Sequence, residues 1–190
     1  LYQKGNFQKV IEETTVLLKK FPKSINLYNI HGGANTALKQ FDLAVASFEK
    51  AIRIKPDYPD SYNNMGIALH GMGDFKRAIE SYKKALSLRT AYADAYYNLA
   101  NTLQASGDLE SAVENYKKAL KIKPKYTKAY YNMGSALQAN KKLKAAIKNY
   151  KKVLKISPQH VETYNNMGIA LHESGKLDAA IKSYRSALKI

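Results

Sequence analysis

The sequence contains no cysteine, so neither disulfides nor thiolate chemistry is open to it. It has no apolar run long enough to cross a bilayer as a helix. An initiating methionine and a signal peptide are also missing, and the chain opens on Leu1-Tyr2-Gln3-Lys4-Gly5. The repeat register derived below places those residues at the end of a first helix, so a fragment of a longer chain is expected. Arginine is scarce: Arg53, Arg77, Arg89 and Arg185 are the only ones among 31 basic residues. Nucleic-acid readers usually lean on arginine for bidentate contacts to bases and phosphates. The formal charge of +16 is therefore as consistent with a bias toward lysine, asparagine and tyrosine as with an anionic partner. No phosphate-binding glycine loop occurs, and no nucleophile is flanked by a recognisable base and orienter. The chain is accordingly read as soluble, with the cytoplasm favoured, and as no enzyme: catalytic residues, metal ligands and cofactors are all assigned as none.

What the sequence has is a repeat. Tyr62, Gly66, Leu69, Ala78 and Tyr82 recur 34 residues later as Tyr96, Ala100, Leu103, Ala112 and Tyr116. They return as Tyr130, Gly134, Leu137, Ala146 and Tyr150, and again as Tyr164, Gly168, Leu171, Ala180 and Tyr184. A period of that length builds a solenoid by stacking neighbours rather than folding around one core. With Pro59 as position one, the register also starts repeats at Ile25, Ala93, Thr127 and Val161. The expected organisation is a single domain over 1–190: a half repeat at 1–24, then repeats at 25–58, 59–92, 93–126, 127–160 and 161–190.

Within a repeat, apolar or aromatic residues at positions four, seven and eleven, with a small one at eight, share one face of a helix. Tyr62, Met65, Gly66 and Leu69 are an example. Phe75, Ala78, Ile79, Tyr82, Ala85 and Leu86 form a second helical stripe without strand-like alternation. Between the two, Gly73-Asp74 and Gly107-Asp108 supply a turn glycine and an aspartate suited to cap the next helix. Pro22, Pro56, Pro124 and Pro158 stop second helices, and Thr90 takes that place once without disturbing the register. Ala44, Ala78, Ala112, Ala146 and Ala180, at position twenty, mark where two helices of a hairpin should cross most closely.

Taken together, Tyr at four, Gly or Ala at eight, Gly at fifteen, Ala at twenty, Tyr or Phe at twenty-four, Ala at twenty-seven and Pro at thirty-two resemble the tetratricopeptide repeat. The resemblance covers nearly the whole chain and implies an all-α, right-handed superhelical solenoid of antiparallel helix-turn-helix hairpins. Its departures are His31 at seven, Asn35 at eleven, Lys39 and Lys141 at the turn glycine, and Val153 at twenty-seven. The phrases Tyr62-Asn63-Asn64-Met65-Gly66 and Tyr96-Tyr97-Asn98-Leu99-Ala100 are similar to the arrays of O-linked N-acetylglucosamine transferases and related bacterial proteins.

Position six lies about 200° around the helix from position four and so faces away from the hairpin core. Asn64, Asn98, Asn132 and Asn166 fill it in four successive repeats, after Ile30 in the first. In the family that this chain resembles, first helices line the concave groove, which would make these four a ladder along it. An Asn amide can bond both the carbonyl and the N–H of an extended peptide whatever the peptide's side chains. Tyr97, Tyr131, Asn63, Asn101, Lys128 and Asn165, at positions two, five and nine, are the expected flanking contacts. The expected function is a scaffold for protein or peptide partners, with the substrate-recruiting arm of a larger transferase as the alternative. A carboxylate clamp of the kind another subgroup uses is not expected, because no Lys stands at position five.

Between Glu114 and Glu162 no acidic residue occurs, whereas lysines run from Lys117 and Lys118 through Lys141, Lys142 and Lys144 to Lys151, Lys152 and Lys155. This reads first as a solubilising face and second as a surface for an anionic partner, nucleic acid or membrane. His70 and His172 share a register only because Asn63–His70 and Asn165–His172 are the same eight-residue stretch. Leu177, Ile181, Tyr184 and Leu188 form a last apolar stripe, from which end-to-end self-association, or an omitted cap, is expected.

Overall fold

Helices begin where the register puts the repeats. A computed structural model describes residues 6–190, which form eleven helices and no strand. The first helices of the five repeats are α2 (Ile25–Ala37), α4 (Pro59–Met72), α6 (Ala93–Ala105), α8 (Thr127–Ala139) and α10 (Val161–Glu173). Their second helices are α3 (Phe41–Ile54), α5 (Phe75–Leu88), α7 (Leu109–Ile122), α9 (Leu143–Ile156) and α11 (Leu177–Leu188). Helix α1 (Phe7–Lys20) completes the half repeat, while the helix end expected over Leu1–Gly5 lies outside the described residues.

The chain divides into two compact units, Leu1–Thr102 and Leu103–Ile190, with the boundary inside α6. In the first unit α1, α2, α3, α4 and α5 pack in chain order, and α2 also reaches α4. In the second, α7, α8, α9, α10 and α11 do the same, and α8 also reaches α10. Each unit is thus a stack of hairpins in which neighbouring first helices meet.

The small residues explain how closely the helices approach. Ala44, Ala78, Ala112 and Ala146 have no exposed surface, and Ala180 has 2%. One turn further along the same helices the rings of Phe48, Tyr82, Tyr116 and Tyr150 are fully buried, and those of Phe48, Tyr82 and Tyr150 lie against Gly32, Gly66 and Gly134 of the first helices. A phenol in that position needs a partner for its hydroxyl. Tyr116 donates to Gln104 Oε1 at 2.8 Å and Tyr150 to Gln138 Oε1 at 3.0 Å. Burial pushes the Tyr82 and Tyr150 phenols well above their ordinary range, so both stay protonated.

Turns inside the hairpins are equally uniform. Residue fifteen takes a left-handed conformation in every repeat: Gly73 at φ 86°, Gly107 at 92°, Gly175 at 76°, Lys39 at 60° and Lys141 at 55°. Its N–H and the next one close back on the preceding helix, as in Lys141 N to Gln138 O at 2.9 Å and Lys142 N to Leu137 O at 2.8 Å. The two lysines therefore adopt the glycine geometry despite their Cβ atoms. Left-handed backbone costs a non-glycine residue about 1–2 kcal/mol, part of which glycine gives back as unfolded-state entropy. Lys141→Gly should accordingly raise stability by about 0.5–1 kcal/mol, read as a higher urea midpoint, whereas Lys141→Ala should leave it nearly unchanged. As the sequence suggested, Asp74 and Asp108 cap the following helices, accepting from Arg77 N at 3.1 Å and Ser111 N at 3.0 Å.

Candidate functional site

The four position-six asparagines are all half-buried, and Asn64, Asn98 and Asn166 bond within their own array. Asn98 donates from Nδ2 to Asn63 Oδ1 at 3.1 Å, and Asn166 donates from Nδ2 to the Tyr131 hydroxyl at 2.8 Å. In both cases position six of one repeat is tied to position five of the repeat before. Asn64 instead accepts from Asn63 Nδ2 at 3.3 Å. An Asn amide has two donor hydrogens and two acceptor lone pairs, so one such bond leaves capacity for a ligand.

The flanking residues separate into two groups. Asn101 and Tyr97 are half-buried beside the first unit's asparagines, and Lys128 and Asn165 are exposed in the second unit. Asn63, by contrast, is 4% exposed and lies behind Asn64 and Asn98, which it links. A residue so covered positions the amides in front of it. Tyr131 is also anchored: its ring centroid stands 6.2 Å from that of Tyr150 and 5.4 Å from that of His160, and its hydroxyl serves Asn166.

One arrangement has no counterpart in the sequence reading. Arg89 makes a bidentate pair with Asp60, Nη1 to Oδ1 at 2.9 Å and Nη2 to Oδ2 at 3.0 Å, and Tyr92 donates its hydroxyl to Asp60 Oδ1 at 2.7 Å. The guanidinium also lies 4.6 Å from the Tyr92 ring centroid. Burial alone would raise the Asp60 carboxyl, but these two partners outweigh it and hold the carboxyl below its usual range. Lys55 over Tyr58 at 5.8 Å and Lys123 over Tyr126 at 4.3 Å repeat the cation and ring at the same register. A basic residue three before an aromatic, at positions thirty-one and thirty-four, was the available signal. Asp60 at the start of repeat 59–92 is thus tied to Arg89 and Tyr92 at its end.

All the lysines of the acid-free stretch are exposed, and Lys142 pairs with Glu110 at 3.5 Å. His70 is half-buried with Nδ1 2.9 Å from Thr102 Oγ1, and burial lowers its pKa; His172 is exposed. Among the described residues no three His, Asp or Glu side chains gather as a metal site, and no helix is long and apolar enough to cross a membrane. The position-six face itself presents neutral amides and phenols, groups that can donate and accept hydrogen bonds.

A family model described as a TPR repeat matches residues 32–73, 69–107 and 105–141, and one described as a tetratricopeptide repeat matches 126–190. The chain belongs to the tetratricopeptide-repeat family. Among solved structures of this family, the crystal structure of MamA is 27% identical, with a TM-score of 0.79 over 83% of this chain and 92% of that one. YrrB, described as a TPR protein with an unusual peptide-binding site, is 18% identical, with a TM-score of 0.77 over 94% of this chain and 92% of its own. Over 65 residues, 34% of the chain, the sequence is 30% identical to a probable UDP-N-acetylglucosamine–peptide N-acetylglucosaminyltransferase, SEC, of Arabidopsis thaliana. The chain spans 7% of that relative's length.

Proposed function

We propose that this TPR scaffold binds an extended peptide through Asn64 and Asn98 in one unit and Asn132 and Asn166 in the other. The observation that carries the reading is the recurrence of asparagine at position six, half-exposed on the helix face that packing leaves free. Inter-repeat bonds hold Asn98 and Asn166 in place, which reduces the ordering a ligand must impose. Tyr97, Tyr131, Asn101, Lys128 and Asn165 are the flanking contacts, and Asn63 acts from behind. We assign no catalytic chemistry to these residues.

Removing two rungs should weaken unrelated peptides alike, because an amide reads main chain. Asn98→Ala combined with Asn132→Ala should lower affinity about tenfold across peptides of different sequence, each lost bond being worth about 0.5–1.5 kcal/mol. Fluorescence anisotropy at two salt concentrations checks this. Binding through neutral amides changes little with salt, whereas binding carried by the lysine-rich stretch falls steeply as salt rises. Unchanged affinity in the double variant, with its helical signal intact, rejects the ladder.

The similarity to the Arabidopsis transferase favours a second reading, in which these repeats recruit substrate for a catalytic domain elsewhere in a longer chain. Sequencing the flanking reading frame decides it. A frame without such a domain on either side removes this reading.

A further inference from the structure

The asparagine series is broken in the first repeat, where Ile30 stands at position six and Gly33 at position nine. At that place α2 and α4 part around a cavity of about 180 Å³, lined by Asn29, Gly33, Thr36, Phe48, Asn64 and Ile67. We propose that this cavity is a side-chain pocket for an uncharged aliphatic residue, of leucine, isoleucine or methionine size, on the peptide whose main chain the asparagines hold. The inference rests on the groove reading above and gives it a sequence preference.

Volume comes first. Sites for drug-sized ligands occupy about 300–1,000 Å³, whereas a cavity of about 150 Å³ lined by apolar side chains takes a single benzene ring. A space of about 180 Å³ is therefore suited to one side chain.

The walls give the chemistry. The Phe48 ring forms the floor, itself 1% exposed, and Ile67 stands 39% exposed at the side. No charged residue lines the space, so a charged side chain entering it would lose water without gaining a counter-ion. Two of the three polar lining groups are already satisfied. The Thr36 hydroxyl donates to Gly32 O at 2.9 Å. Asn29 donates to Ile25 O at 3.0 Å and to Ser61 Oγ at 2.8 Å, and accepts from Ser61 at 3.1 Å.

Asn64 is the exception, and it is also the first rung of the ladder. Its Oδ1 accepts from Asn63, which leaves the two Nδ2 hydrogens for a carbonyl of the bound main chain. An uncharged hole, with Phe48 and Ile67 in its walls and its other polar groups already bonded, beside an unspent amide donor matches an aliphatic residue and its adjoining peptide group. It does not match a lone hydrophobe or an anion.

The test uses nine-residue capped peptides of Ser, Ala and Gly with Leu, Ser, Lys or Glu at the centre. These are titrated into the 190-residue chain labelled at its isoleucine methyl groups. The Leu-centred peptide should bind about tenfold tighter than the other three and shift the Ile67 methyl resonance. Gly33→Leu, which fills the cavity with a better helix former, should abolish that preference, so that Leu- and Ser-centred peptides bind alike. Equal affinity for Leu and Ser centres, or a preference that survives Gly33→Leu, overturns the pocket and leaves the groove reading standing. Failure of every peptide to bind overturns both.

Discussion

Replacing Gly66 by valine should cost roughly 3 kcal/mol, the largest loss expected from any single substitution considered for this chain. A Cβ built on Gly66 would lie 2.6 Å from Tyr82 Cε1, 2.8 Å from its Cζ and 2.9 Å from its Cδ1. Real Cβ atoms do not come that close to a ring, so either the tyrosine or the helix must move. Tyr82 has little room to retreat, being 1% exposed with its hydroxyl bonded to Thr102. In an exposed helix a glycine is worse than alanine by about 0.5–1 kcal/mol, and here the contact reverses that ranking. Gly66→Ala should therefore destabilise too, by less than valine. Gly134 faces Tyr150 in the same way, with the built Cβ 2.6 Å from Cε1, so Gly134→Val should behave alike in the other unit.

Urea unfolding followed by helical signal checks this. Because stacked repeats unfold with limited cooperativity, amide exchange should also locate the loss, on α4 and α5 for Gly66→Val. A valine variant with an unchanged midpoint and unchanged exchange would show that the ring can move, and that glycine at position eight does not set the helix spacing.

Much of this was legible in the sequence because packing repeats. The residues that open each first helix, the fully buried alanine at position twenty, and the capping roles of Asp74 and Asp108 follow from the register alone. The face of Asn64, Asn98, Asn132 and Asn166 was legible too, since a 3.6-residue period separates it from the Tyr62 face. What could not be read concerns contacts from one helix to another segment of the chain. A single helix treated as a cylinder puts Asn63 at the edge of the groove, yet the neighbouring first helix covers it. Asp60, Arg89 and Tyr92 meet because a chain reversal brings positions two, thirty-one and thirty-four together, which angular position on one helix does not reveal. The cavity beside Gly33 depends in the same way on how far α2 and α4 stand apart.

The second large effect should be a gain. At the sites where other repeats carry Met65 with Leu69, Met133 with Leu137, and Met167 with Leu171, the first repeat carries His31 with Asn35. Asn35 is wholly buried; its Nδ2 donates to His31 O at 2.8 Å and lies 3.1 Å from His31 Nδ1, and its Oδ1 has no partner. Ser47 has one hydrogen for two acceptors, Leu43 O at 2.8 Å and His31 Nδ1 at 2.9 Å. Because Asn35 presents an N–H to Nδ1, that nitrogen must keep its lone pair, which places the ring proton on Nε2, 3.5 Å from Thr15 Oγ1. A second proton would have to enter against the Asn35 amide. Burial, and then the charge of Lys50, hold the imidazole pKa below 6.5. A group lowered in this way contributes stability that is present above the unfolded pKa and is lost as pH falls from there through the folded pKa. His31→Met with Asn35→Leu removes the unpaired oxygen and the titrating ring together and restores the register residues. The double variant should be more stable at pH 7.5 by about 1–3 kcal/mol, with the gap widening at pH 5. A weaker pH dependence will remain, because burial lowers His70 as well. Urea midpoints at the two pH values give both numbers, and a gap that does not grow on acidification would show that the fold does not hold His31 neutral.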